Sequence, residues 1–210
     1  MRHLRELRAD FDARTVVVYQ AYAPAIADAA LDAQTFVAPF SFERMTWVKP
    51  SFLWMMERCG WATKPNQERV LVLRLHRPHF DALVARAVPT HFDPAHDATP
   101  EAWLARKATA DALVQWDPER DVRGAKLNHR AIQLGIGRTL SREFASQWIA
   151  RIDDVTPLVK KLRELRREGD WERVDRLLPT ERAYEACRLI DGVTHERDVC
   201  GPASDRRHDR

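Results

Sequence analysis

Hydrophobic positions recur along this chain with two periods, and the pattern predicts short strands that alternate with helices. The β-branched and aromatic run Thr15–Tyr22 predicts a buried strand, and residues 70–76 predict the clearest second one. Shorter apolar runs at residues 113–116 and 131–136 predict further strands. Proline is tolerated in the first turn of a helix. Helices are therefore expected to begin at or near Pro24, Pro50, Pro78, Pro100 and Pro157.

The densest apolar stretch is residues 42–64, which holds three of the seven Trp and three of the four Met. Residues 44–49 predict a short strand with Arg44 and Thr46 on one face and Trp47 on the other. A short helix is expected next, because apolar residues recur at i, i+3, i+4 and i+7. These residues are Phe52, Met55, Met56 and Cys59. The glycine that follows them is expected to end the helix.

The C-terminal part has a helical pattern from about residue 138. A helix is expected over residues 139–152, and a leucine stripe at Leu158, Leu162 and Leu165 predicts another. The unevenly spaced strands favour the α+β class, with a mixed small sheet of about five short strands and flanking helices. Residues 1–198 are expected to form a single domain, and residues 199–210 a frayed tail.

Composition narrows the possible classes of protein. The chain has 210 residues, and its 34 basic and 31 acidic residues give a net charge of +3, which does not indicate a nucleic-acid coat protein. Its three cysteines are far apart and are expected to stay reduced in the cytoplasm. The basic N-terminus precedes no apolar run, so we expect no signal peptide. No apolar stretch approaches the roughly 20 residues that span a bilayer, so no membrane association is expected.

Two charged segments are candidates for binding sites, one for a metal ion and one for phosphate groups. His91, Asp93, His96 and Asp97 lie in a proline-bearing loop, which favours a polar surface loop over a metal site, so no metal is indicated. Residues 119–142 contain six cations and two anions and could form a positive surface that suits phosphate groups. The cations are Arg120, Arg123, Lys126, Arg130, Arg138 and Arg142. A solvated face explains the same charges equally well.

Buried polar residues give further candidates. Gln20 interrupts an apolar strand, so its amide is expected either to bond the backbone locally or to face a ligand. If Arg44 is buried, it needs an anionic partner, which could be Glu119, Asp121 or a ligand phosphate. Gln133, a polar residue in the predicted strand 131–136, is included among the ligand-binding candidates.

Several segments resemble an uncharacterised bacterial and fungal family catalogued as domain of unknown function 4291. The resemblance spans about residues 15–157, and the family name supplies no activity. The segments that carry it are VVVYQAYAPAIADAA, FERMTWVKPSFLWMMERCGWATKPNQERVL, VQWDPERD, HRAIQLGI and WIARIDDVT.

The order of the predicted elements also resembles the ADP-ribosyltransferase layout, which implies binding of NAD. That layout implies a polar residue on the first strand, matched by Gln20 or Tyr22, and a hydroxyl or aromatic residue on the second. The second role falls to Arg44 or Thr46, and the late glutamate to Glu119. The chain departs from the layout because no Arg-Gly or His-Gly follows the first strand and no Ser-Thr-Ser opens the second. In addition, Glu119 follows a proline in a charged turn predicted at residues 117–121.

These observations lead to three hypotheses. The first is an enzyme that acts on a nucleotide or nucleic acid, with ADP-ribosyl transfer from NAD as its reaction. In that hypothesis Glu119 is catalytic, Tyr22 or Trp47 stacks on a ring, and three arginines hold phosphates. The arginines are Arg44, Arg120 and Arg130. The second is a non-catalytic nucleic-acid-binding module. The third is a partner-binding protein that uses the leucine stripe, its partner being unspecified.

Overall fold

The computed structural model of the chain describes residues 4–94 and 97–184, and its secondary structure is mixed. The strands of this part are β1 Arg8–Ala9, β2 Thr15–Tyr22, β3 Thr46–Val48, β4 Arg69–His76, β5 Val88–Pro89, β6 Ala112–Arg120, β7 Lys126–Ile136, β8 Ile149–Asp154 and β9 Arg182–Ala183. Its α-helices are α1 Pro24–Ala33, α2 Phe52–Cys59, α3 Arg77–Arg86, α4 Pro100–Thr109, α5 Arg138–Glu143, α6 Thr156–Glu168 and α7 Trp171–Leu177. A π-helical turn, Phe144–Trp148, continues α5.

The strands form small sheets rather than one continuous sheet. Strands β2, β4 and β8 make an antiparallel sheet in that order, and β3, β7, β6 and β5 make a mixed one. Within the second sheet, β5 runs parallel to β6 and the other pairs are antiparallel. A two-stranded sheet pairs β1 with β9, near the two ends of the described chain. The prediction of an α+β protein with short strands and flanking helices is confirmed, although the described strands divide among three small sheets where one was expected.

Local signals fix the ends of α2. The Ser51 hydroxyl accepts a hydrogen bond of 3.1 Å from the Trp54 N–H, which satisfies one of the free donors at the helix start. Gly60 ends the helix with φ of +58°, a left-handed conformation that glycine adopts without a Cβ clash. The predicted helix, its buried face and its terminating glycine are therefore confirmed.

A hydrophobic core lies between the two larger sheets. Leu71, Leu73 and Leu75 of β4 face alternating residues of β6 and β7 across it, and helices α1, α3 and α5 close its sides. The residues from β6 and β7 are Ala112, Val114, Ile132, Leu134 and Ile136. This core leaves the opposite face of β6 and β7 free for polar side chains.

A second core covers the other face of β2 and β4. Met55 and Met56 of α2 pack there with Leu162 and Leu165 of α6, all of them buried. Leu158 is only partly buried at the margin of this core. The leucine stripe is thus covered by its own chain, which removes the motive for a second protein to bind it.

The structure differs from the predicted helix over residues 139–152. The helical segment ends at Trp148, and Ile149–Asp154 forms β8, which pairs with β4. The edge of β4 supplies backbone partners for these residues, and this tertiary pairing outweighs their local helical pattern. The predicted tail at residues 199–210 lies outside the described residues.

The predicted charged turn at residues 117–121 is also different, because β6 continues through it to Arg120. Pro118 is opposite Arg130, whose N–H bonds Leu4 rather than β6. Pro118 therefore occupies a non-hydrogen-bonded position, and its missing N–H costs the ladder nothing. As a result, Glu119 lies on a strand and the turn follows it.

The predicted strand at residues 44–49 is shorter in the structure. Arg44 lies in a bend before β3 and is exposed, so the burial that would require an anionic partner does not occur. Among the helices that the structure describes, none combines the length and apolarity needed to cross a membrane.

Candidate functional site

The two larger sheets meet where β2 and β3 touch. Tyr19 of β2 and Lys49, which directly follows β3, exchange two backbone hydrogen bonds of 2.8 and 3.2 Å and form an isolated backbone bridge. Beyond it, β2 pairs with β4 while β3 pairs with β7. We call the polar contacts beside this bridge the seam; its residues are Gln20, Tyr22, Thr46, Trp47 and Lys49.

Beyond the Tyr19–Lys49 bridge, side-chain hydrogen bonds connect β2 and β3 in place of backbone pairing. The Gln20 amide nitrogen donates to the Thr46 hydroxyl at 2.7 Å and to the Trp47 carbonyl at 3.2 Å. The Tyr22 and Thr46 hydroxyls lie 2.9 Å apart. Burial raises the pKa of Tyr22, and the hydrogen bond to Thr46 partly offsets this effect. Four residues predicted from the sequence are therefore brought together, and Gln20 bonds both a backbone group and a side chain.

Lys49 completes the seam and was not predicted as a site residue. Its ammonium group donates to the Trp47 carbonyl at 3.1 Å, and the residue is only 7% exposed. Burial, together with the neighbouring charge of Arg58, lowers the pKa of Lys49 to about 8. The sequence feature that could have identified Lys49 is its position inside an apolar stretch and directly before a proline.

The face of β6 and β7 turned away from the core carries a polar network. The Asp117 carboxylate accepts hydrogen bonds from the Gln115 and Gln133 amides at 2.8 and 2.7 Å. Trp47 lies on the same face, opposite Gly135. A Cβ at Gly135 would lie 3.1 Å from the indole, so glycine allows this close approach. Gln133 therefore belongs to a polar network, and its side-chain amide donates to the Asp117 carboxylate of the protein itself.

A cavity of about 220 Å³ lies at the other end of this face. Glu119, which is 8% exposed, lines it together with residues from both ends of the described chain. Its polar lining is Arg8, Ser51, Glu119, Arg120, His129 and Glu181. The Glu119 carboxylate accepts a bond of 2.9 Å from the Arg120 N–H. The cavity therefore combines two carboxylates, two guanidinium groups and an imidazole.

The arginines of the cavity are partly engaged already. Arg120 pairs with Glu57 at 3.3 Å, while its buried Nε has no hydrogen-bond partner within the described chain. Arg8 pairs with Glu6 at 2.8 Å and donates to the Glu181 carbonyl at 2.7 Å. A phosphate would therefore compete with existing contacts for the outer nitrogens of both arginines.

Sequence reasoning missed the residues that the chain ends contribute. The carboxylate of Glu181 accepts a hydrogen bond of 2.7 Å from the Phe52 N–H at the start of α2. Glu181 and Arg8 meet because β9 pairs with β1. No local pattern signals a contact between such distant segments.

Two predicted phosphate-binding arginines do not line this cavity. Arg44 is exposed in its bend, and Arg130 donates to the Trp116 carbonyl at 3.3 Å. The basic segment 119–142 is also divided by β7, whose eleven residues span roughly 33 Å. Arg138 and Arg142 lie beyond its far end, so the six cations do not form one local surface.

Within the described ranges, no group of three or more His, Cys, Asp or Glu residues is placed to hold a metal ion.

The fold and its polar groups define an α+β protein with a cavity lined by carboxylates and arginines. A family model described as "Domain of unknown function (DUF4291)" matches residues 6–184, and the chain belongs to this family. No curated protein matches the chain.

Proposed function

We propose that this protein is an enzyme that acts on a nucleotide or nucleic acid, as an ADP-ribosyltransferase-like transferase with NAD as the donor substrate. The observation that carries the proposal is the buried Glu119 carboxylate in a cavity with Arg8, Arg120 and His129. A carboxylate beside guanidinium groups suits a ligand that carries both hydroxyl groups and phosphates. The predicted location of the reaction is the cytoplasm.

The proposed reaction breaks the bond between nicotinamide and ribose C1′ and forms a bond from an acceptor nucleophile to the same carbon. Nicotinamide leaves with the bonding electron pair, and the acceptor loses one proton. Glu119 hydrogen-bonds a ribose hydroxyl and takes the proton of the acceptor, while Arg8 and Arg120 stabilise phosphate charge. Arg44 and Arg130 have no role in the proposed reaction, because neither lines the cavity.

The size of the cavity limits what it can hold. Its volume of about 220 Å³ is below the roughly 300–1,000 Å³ of most small-molecule sites. It accommodates one part of a dinucleotide, and the rest must lie along the neighbouring face. Gln133 and Trp47 are on that face and remain proposed ligand-binding residues.

A thermal-shift measurement with NAD, ATP and short RNA tests the proposal. A ligand at 100 times its Kd adds about 2.7 kcal/mol to the stability of the folded state, or roughly 5–10 °C in Tm for a domain of this size. NAD turnover is then measured with Glu119→Gln, which retains the acceptor for the Arg120 N–H. We expect loss of turnover by at least about 100-fold with little change in Tm.

Glu164→Gln is the matched control, because Glu164 is exposed on α6. It should leave both ligand binding and turnover at the wild-type level. The proposal is wrong if no nucleotide shifts the Tm, or if Glu119→Gln turns over NAD as fast as the wild type.

A nucleic-acid-binding module is the second candidate, and the surface of α6 favours it. Lys160, Lys161 and Arg167 are exposed there, and the Arg166 guanidinium lies 4.0 Å from the Trp61 ring centre. Cations beside an aromatic ring are typical of single-strand-binding surfaces. RNA binding that weakens steeply with salt, without turnover of NAD or RNA, would favour this candidate over the enzyme.

A further inference from the structure

The seam contains two polar side chains that bind the same atom. The Gln20 amide and the Lys49 ammonium both donate to the Trp47 carbonyl oxygen, at 3.2 and 3.1 Å. Their nitrogen atoms are therefore no farther apart than two hydrogen-bond lengths. Gln20 lies on β2 and Lys49 directly follows β3, and a backbone bridge joins these two segments, so their relative position is fixed by the fold.

Each of these side chains has hydrogen-bonding capacity that the described residues do not use. The Gln20 side-chain carbonyl oxygen is buried without a hydrogen-bond partner in this part of the chain, and the residue is 2% exposed. The Lys49 ammonium carries three donors and bonds a single recorded acceptor. An unsatisfied buried polar group costs about 1–3 kcal/mol, so the seam gains from a partner for both.

The chemistry of that partner follows from the two groups. A carboxylate or phosphate has only acceptor oxygens, so it would satisfy Lys49 and face the Gln20 oxygen with a second acceptor. An ammonium ion has only donors and would satisfy Gln20 alone. A neutral group with a donor beside an acceptor satisfies both, as do the amino edge of adenine and a carboxamide.

We propose that the seam binds such a donor–acceptor edge, with its donor on Gln20 and its acceptor on Lys49. The inference rests on the proposed function, because it assigns one end of the dinucleotide to the seam and the other to the Glu119 cavity. The ligand has to enter between β2 and β3 from the side of Lys49, where Trp47, Gln115 and Asp117 are partly exposed, because Gln20 itself lies on the core face of β2 with Val18 and Tyr22. The opposite side is closed by Tyr22, Phe36 and Phe40, whose rings pack together.

Calorimetric titration of the full chain with matched ligand pairs tests this assignment. For the adenine edge, AMP is compared with N6,N6-dimethyl-AMP, which lacks the donor. For the carboxamide edge, nicotinamide mononucleotide is compared with nicotinic acid mononucleotide, in which a carboxylate replaces the amide. The pair that contains the true edge should lose about tenfold or more in affinity upon this change.

Lys49→Met removes the donor and keeps the length of the side chain. It should weaken binding of the correct parent ligand by about tenfold or more, whereas Lys161→Met on the exposed surface of α6 should not. Gln20→Met is a second variant, and it should bind the parent and the donor-less ligand of that pair with equal affinity.

The outcomes separate the inference from the proposed function. If the parent ligands bind the wild type and Lys49→Met equally, and neither chemical change matters, the seam is structural and only the inference is overturned. A bound water bridging Gln20 and Lys49 would give that result. If neither mononucleotide nor NAD binds the wild type at all, the proposed function fails and the inference fails with it.

Discussion

Replacing Lys49 with methionine is expected to stabilise the fold at neutral pH, although it removes a hydrogen bond. Lys49 is almost fully buried, and its pKa is lowered from 10.5 to about 8. This difference corresponds to about 3 kcal/mol of destabilisation when the lysine is charged. The lost bond to the Trp47 carbonyl costs about 1 kcal/mol, because Gln20 still donates to that oxygen. Lys49→Met should therefore be more stable by about 2 kcal/mol at pH 7.

The same reasoning predicts how this difference depends on pH. Between pH 8 and 10.5 the unfolded chain keeps the lysine proton and the folded chain has lost it. The unfolded state then binds more protons, so this group makes stability rise with pH across that window. The destabilisation caused by the charged Lys49 side chain is fully present below about pH 8 and decreases above that pH. The advantage of Lys49→Met should shrink by about 2 kcal/mol between pH 7 and about pH 9.5.

Urea denaturation of both proteins at several pH values measures this difference. Burial raises the pKa of Cys59, so this thiol makes stability fall with pH above about pH 9. Taking the difference between the two proteins removes most of this contribution but not all of it, because the charge of Cys59 also acts on Lys49. Lys161→Met, at an exposed position, should change stability by less than about 0.5 kcal/mol and show no such pH dependence. A Lys49→Met protein less stable than the wild type at pH 7, with a constant difference up to about pH 9.5, would refute the argument.

Two further tests, each with a comparison variant, address contacts of Gly137 and Thr156 that join neighbouring elements. Gly137→Ala should cost about 1–3 kcal/mol in urea denaturation, because its Cβ would lie 2.7 Å from the Asp111 backbone oxygen. Gly135→Ala should cost less, since the nearest atoms there belong to side chains that can move. Thr156→Val should cost about 1–3 kcal/mol, because the buried hydroxyl accepts the Val70 N–H at 2.8 Å. Thr156→Ser keeps that acceptor and should retain most of the stability.

Elements with local signals were predicted well from the sequence. The β-branched run Thr15–Tyr22 forms β2. The helix α1, Pro24–Ala33, begins with the proline that predicted its start. The apolar repeat and the following glycine give α2 at Phe52–Cys59. These signals act between residues a few positions apart, and here the tertiary contacts agree with them, as in the pairing of β2 with β4.

Two segments whose local pattern disagrees with their long-range pairing were predicted wrongly. Ile149–Asp154 forms a strand because β4 offers it an edge, although its local pattern favours a helix. Glu119 lies on a strand because the register of β6 places Pro118 where no N–H is needed. In both places long-range backbone pairing outweighs a local preference.

The candidate site shows the same division between local and distant information. The sequence marked Gln20, because a polar side chain within an apolar strand needs a partner. Tyr22 and Thr46 were marked by the resemblance to the ADP-ribosyltransferase layout. Tertiary structure decided that the partners of these residues are one another and the backbone of β3, since an isolated bridge joins β2 to the residue that follows β3. It also brought Arg8 and Glu181 to Glu119 through the pairing of β1 with β9. Such contacts depend on packing across the whole chain, and no short stretch of sequence contains that information.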